Sequence, residues 1–193
     1  MPREIPPVEL SPQQFELEVK KVLEAGGAKL DSFRAAHRQV LHGAEGEYEI
    51  DVAVWFEAMG AEFLVLVECK HQKSSIKRDV VQVLADRVRS IGAHKGIVFA
   101  TAPFQSGALE YAKQHGIGLV RIADGSTAWE TRAFGATSDP PSWANIPPYV
   151  GWLVQLTEQG LEQHSLVDVR HPEALIGFLA GPVSPHERGG IPG

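Results

Sequence analysis

At 193 residues the chain is long enough for one well-buried domain and too short for two ordinary ones, and its 44% hydrophobic, 22% charged composition is that of a globular protein. No apolar run approaches the ~20 residues of a membrane span, and a single cysteine excludes internal disulfides and thiolate-rich zinc sites. The net charge of −6 argues against indiscriminate coating of nucleic acid, but seven basic and only two acidic residues lie between Lys70 and Lys95, so the rest of the chain carries −11. One basic face on an otherwise acidic molecule is the expectation.

The start, MPREIPPVEL, has no charged-then-apolar secretory pattern, which makes cytoplasm the expected location. Ser11-Pro12 predicts a helix start, serine capping free amides and proline at the first helical position. Phe15, Val19, Val22 and Leu23 then recur at helical spacing until Gly26-Gly27. From Ala28 to about Val40 the pattern is broken, consistent with a strand and an irregular edge. After the turn in HGAEGEYE, YEIDVAVWFE alternates and AEFLVLVECK follows Met59-Gly60, which predicts an antiparallel hairpin. Ser74 or Ser75 is expected to cap a helix carrying Ile76, Val80, Val83, Leu84, Val88 and Ile91, ended by Gly92. GIVFAT and IGLVRI read as strands buried on both faces, separated by a helix over residues 104–115. The order α-β-β-β-α-β-α-β predicts an α/β sandwich around a mixed sheet.

After about residue 136 the composition shifts. TSDPPSWANIPP reads as a linker, residues 149–159 and 172–180 as two short amphipathic helices, and the chain from Gly181 onward as loose. The predicted division is a main domain over 1–135 and an extension over 136–193, whose Trp143, Tyr149 and Trp152 pack it onto the main domain or a partner subunit.

The stretch LVLVECKHQK poses a chemical question, because Glu68 and Lys70 share one face of a strand that is otherwise core. A buried ion pair is seldom better for stability than apolar residues of the same volume, so stability is a poor reason for it. If the hairpin forms, Asp51 lies near Glu68, and two neighbouring carboxylates repel unless a cation sits between them. Oxygen ligands of this kind suit Mg²⁺ or Mn²⁺, held by Asp51, Glu68 and the main-chain carbonyl of Cys69. Such an ion polarises a phosphoryl oxygen, and Lys70 is placed to orient water or neutralise developing charge. Cys69 itself reads as a small buried hydrophobe. Short-spaced zinc motifs, a nucleophile elbow and a phosphate-cradling glycine loop do not occur in the sequence.

Asp51…Glu68-Cys69-Lys70 in this element order resembles the PD-(D/E)xK nuclease superfamily, and specifically its Mrr-like restriction-endonuclease-like branch. The likeness runs over roughly residues 11–125, through FELEVKKVLEAGG, EIDVAV, LVECK, DVVQVLADRVRSIGAHKGIVFAT and FQSGALEYAKQHGIGLV. It implies a restriction-endonuclease-like core, Asp51 and Glu68 as metal ligands, and Lys70 as catalytic lysine. It also implies Glu16 as an acidic residue beside the site and Gln82 as a helper on the following helix. Ile50 stands where many superfamily members have proline. The expected function is metal-dependent DNA endonuclease in defence or repair. Lys73, Lys77, Arg78, Arg87 and Arg89 are the expected phosphate contacts, and a homodimer would let one site per chain cut both strands. The alternative is an inactive nuclease-fold module that binds nucleic acid or assembles with a partner.

Overall fold

The computed structural model describes residues 9–125, 148–167 and 173–181. Chain order is α1 (Pro12–Gly27), β1 (Asp31–Gly43), β2 (Gly46–Ala58), β3 (Ala61–Lys70), α2 (Arg78–Ile91), β4 (Lys95–Ala100), α3 (Ser106–His115), β5 (Gly118–Asp124), β6 (Tyr149–Leu156), β7 (Glu162–Val167) and α4 (Glu173–Ala180). The seven strands form one sheet in sequence order. Strands β1 to β3 are antiparallel, β3 to β5 parallel through the α2 and α3 crossovers, and β5 to β7 antiparallel again. The expected mixed α/β, restriction-endonuclease-like core is present.

Apolar periodicity decides which helix covers which face. Phe15, Val19, Val22 and Leu23 of α1 and Leu175 and Leu179 of α4 pack with Val52, Val54, Phe56, Val65 and Val67. On the opposite face Val81, Leu84, Ala85 and Val88 of α2 and Ala108, Leu109 and Ala112 of α3 pack with Leu66, Val98 and Leu119. Central β4 is buried at every position, as the unbroken run GIVFA requires. Ser11 and Gln14 close a reciprocal capping box at the start of α1. The β2–β3 turn holds Met59 and Gly60 at φ 51° and 78° between the paired Ala58 and Ala61, the backbone that keeps a two-residue hairpin in step with strand twist.

Three expectations are corrected. Helix α2 begins at Arg78, not at Ser74 or Ser75, because Gln72 Nε2 bonds Ser74 and Ile76 is drawn into a β-bridge with Phe104. Thr101 completes that clamp, its hydroxyl donating to the Gln72 carbonyl and accepting the Gln72 N–H. Strand β1 runs to Gly43 as a 13-residue edge rather than stopping near Val40. Residues 149–156, expected to be helical, form β6 against the open edge of β5, with β7 outside it. The predicted domain division at 135/136 falls outside the described residues, but the strands beyond it belong to the same sheet.

Lys95 opens β4 and is 7% exposed. Its ammonium donates to the Phe178 and Gly181 carbonyls, lies 4.7 Å above the Phe178 ring, and has its pKa pushed down by burial. It closes the carbonyl end of α4. Lys95→Met is therefore expected to lower unfolding free energy by about 1–3 kcal/mol, from charged hydrogen bonds lost to buried carbonyls, and chemical denaturation will measure it.

Candidate active site

The hairpin builds the site by coming apart. Strands β2 and β3 pair from Ala58↔Ala61 to Val52↔Val67, where their ladder stops. Beyond that point β2 continues along β1 and β3 along β4. The first residues past the fork are Asp51 on one arm and Glu68 on the other. Asp51 Oδ2 accepts the Cys69 N–H at 2.7 Å, so the carboxylate takes a backbone donor inside the fork.

Glu68 is 9% exposed and both its oxygens are taken by cations. Lys70 Nζ stands 2.6 Å from Oε1, as two residues on one strand face must allow, and Arg87 reaches from α2 to place Nη1 2.8 Å from Oε2. Glu16, 8% exposed on α1, receives His37 Nε2 at 2.6 Å and Arg38 Nε at 3.2 Å. Arg38 lies between His37 and Gln39, which pair with Val52 and Ile50, so its register position faces Asp51. Its φ of 51° is a strained conformation for a residue with a Cβ, and it comes with the Glu16 contact.

Burial raises the Asp51 pKa above its ordinary value; the Cys69 N–H opposes the rise, and the negative charges of Glu68 and Glu16 add to it. The Cys69 thiol is driven well above its ordinary range by burial and by Asp51, Glu16 and Glu68. The side chain is half-buried against the α1-side core rather than fully buried as its strand context suggested, and a thiol so shifted is a poor nucleophile. The Glu16 hydrogen bond and charge raise Arg38. Three carboxylates thus gather at one end of the hairpin, interleaved with Arg38, Lys70 and Arg87.

Residues 8–127, more than half the chain, match the family model described as Restriction endonuclease (Mrr_cat). The chain belongs to this Mrr-type restriction endonuclease family. No curated protein matches it. The crystal structure of AF1548, a protein of unknown function, is similar at TM-score 0.46 and 23% identity over 55% of this chain, and the chain spans 55% of that protein's length.

Within this restriction-endonuclease domain, Asp51, Glu68, Lys70 and Glu16 come together. The α2 side chain on Glu68 is Arg87; Gln82, half-buried five positions earlier, lies about 140° around the helix from it. Of the five expected phosphate contacts, Lys73, Lys77, Arg78 and Arg89 are exposed, whereas Arg87 is turned into the site. Arg78 lies 5.1 Å from the Tyr111 ring and Arg89 pairs with Asp86. His37, Arg38 and the site role of Arg87 were not foreseen. The only sequence signal for the first two was the pair HR in an edge strand.

Among the described residues no three His, Cys, Asp or Glu side chains form a metal-holding group. Two carboxylates and the Cys69 carbonyl nonetheless suit a hard ion that keeps several waters. Burial is the first cause of the raised Asp51 pKa, and the negative charges of Glu68 and Glu16 add a repulsion that a cation would relieve. A cavity of about 840 Å³ lies elsewhere, among the C-terminal ends of α2, α3 and α4, and includes no residue of the cluster. Of the basic side chains around it, Lys95 donates to the carbonyls at the end of α4, Lys113 to the Thr157 carbonyl, and Arg89 pairs with Asp86. The carboxylate cluster has the better chemistry. No described helix is long and apolar enough to cross a membrane.

Proposed function

We propose that the chain is a metal-dependent endonuclease acting on DNA, in defence against foreign DNA or in repair. The supporting observation is the fork itself: Asp51 and Glu68 side by side where β2 and β3 part, with the Lys70 ammonium 2.6 Å from Glu68. Asp51, Glu68 and the Cys69 carbonyl would hold Mg²⁺ or Mn²⁺, which when bound supplies Lewis-acid polarisation of the phosphate and a more acidic water. Lys70, one-third exposed, can turn from Glu68 to donate to the attacking water or to the charged phosphoryl oxygen. Arg38 and His37 keep the Glu16 charge fixed beside Asp51, so the acidic field survives without ordering at the moment of reaction. Exposed Lys73, Lys77 and Arg78 lie between β3 and the first turn of α2, a position from which they would engage the backbone.

The test is plasmid, linear, methylated and junction DNA incubated with Mg²⁺ or Mn²⁺. Wild-type protein is expected to cut at least one of these, and Lys70→Ala to lose on the order of 10²-fold or more in rate. Undiminished cleavage by the Lys70 variant would remove the mechanism. The full ion pairing of Glu68 supports a second reading, a silent nucleic-acid-binding module. That module would bind DNA yet neither bind Mn²⁺ in a calorimeter nor cut.

A further inference from the structure

We propose that Arg87 is a latch on Glu68: in the metal-free protein its guanidinium holds the oxygen a divalent ion needs, and metal binds by displacing it. The inference rests on the reading above that Glu68 is a ligand. Each Glu68 oxygen has its own cation, Lys70 on Oε1 and Arg87 on Oε2, and the carboxylate between them is only 9% exposed. A divalent ion coordinating Glu68 competes with these two cations for the carboxylate's charge and lone pairs.

Geometry selects Arg87. Lys70 belongs to the same strand as Glu68 and projects from the same face, so its ammonium stays within reach of the carboxylate whatever else it contacts. Both side chains have a path to water, Lys70 at 33% and Arg87 at 29% exposure, but Arg87 comes from a different element, flanking the buried stripe of Val81, Leu84, Ala85 and Val88, and once swung out it is not held beside Glu68 by the strand. The charges agree. Three carboxylates (Glu16, Asp51, Glu68) face three permanent cations (Arg38, Lys70, Arg87), leaving a cluster that is balanced before any metal arrives. A divalent ion entering it gains less than one entering bare carboxylates, and the latch sets the metal concentration at which the site loads.

The experiment is calorimetric titration of Mn²⁺ into the full chain without DNA, so that activity plays no part. Arg87→Met keeps the aliphatic volume and removes the charge. It is expected to tighten Mn²⁺ binding on the order of tenfold, the scale of one partly buried ion pair. Arg87→Lys retains a cation and is expected to stay within about threefold of wild type, since a 1.4 kcal/mol change is needed for tenfold. Unchanged affinity in Arg87→Met overturns the latch. Weakened affinity overturns it too, and makes Arg87 a residue that positions Glu68 for metal. Should Arg87→Met fail to fold, Arg87→Gln carries the same test. Glu68→Gln separates the two ideas: if it binds Mn²⁺ as wild type does, the ligand reading itself is wrong, whereas loss of binding there with no tightening in Arg87→Met rejects only the latch.

Discussion

Asp51→Asn is expected to abolish DNA cleavage, by about 10³-fold or more, while making the protein more stable. The first half follows from chemistry, since a neutral amide is a poor ligand for a hard divalent ion. The second follows from the raised pKa of Asp51, caused first by burial and then by the charges of Glu68 and Glu16. A carboxyl whose folded pKa exceeds its unfolded value of 3.8 is one whose ionised form folding disfavours. Its penalty is present in full above the folded pKa and gone below 3.8. The asparagine variant therefore gains most near neutral pH, about 1 kcal/mol or less for a group that retains solvent contact. The amide oxygen can still accept the Cys69 N–H now bound by Asp51. Thermal melts from pH 3.5 to 8 will show the difference in Tm shrinking toward acid. A variant less stable than wild type at pH 7 would mean that the charged hydrogen bond to the Cys69 N–H outweighs the cost of burying the carboxylate beside Glu68 and Glu16.

A chain ending at residue 135 will not fold as an independent unit. It would keep the region matching the restriction endonuclease family, yet lose β6, β7 and α4. Strand β5 would be left as an open, apolar edge from Val120 to Asp124, where β6 now pairs, and such edges aggregate. The α1-side core would lose Leu153, Val167, Leu175 and Leu179, each no more than 2% exposed. At about 1.5–3 kcal/mol per buried aliphatic side chain the loss is comparable to the whole stability of a typical domain, about 5–15 kcal/mol. Circular dichroism and size-exclusion chromatography of the short chain decide the matter, and a sharp cooperative melt from a monomer would refute it.

These outcomes bear on how much the sequence discloses. Helices α1, α2 and α3 were legible because their apolar residues recur at 3.6 and their ends carry Ser11-Pro12, Gly92 and Gly116. The β2–β3 hairpin was legible from alternation broken by Met59-Gly60. β6 was misread because YVGWLVQL is a nearly continuous apolar run whose period fits either element. What makes it a strand is the vacant edge of β5, which no local pattern contains. The start of α2 was misplaced for a related reason: the loop after Lys70 is held by Thr101 and Phe104, partners about thirty residues away.

The carboxylates divide in the same way. By itself the sequence determined that Glu68 and Lys70 share a strand face and that Asp51 lies on the neighbouring strand, because these follow from a two-residue repeat and a hairpin. Only the tertiary structure decided that the ladder stops at Val52↔Val67, that Asp51 turns to the Cys69 N–H, and that Arg87, with His37 and Arg38, completes the cluster. Those choices depend on where sheet twist parts two strands and on which long side chains from α2 and β1 reach the gap. Both are properties of packed elements, absent from any single stretch of residues.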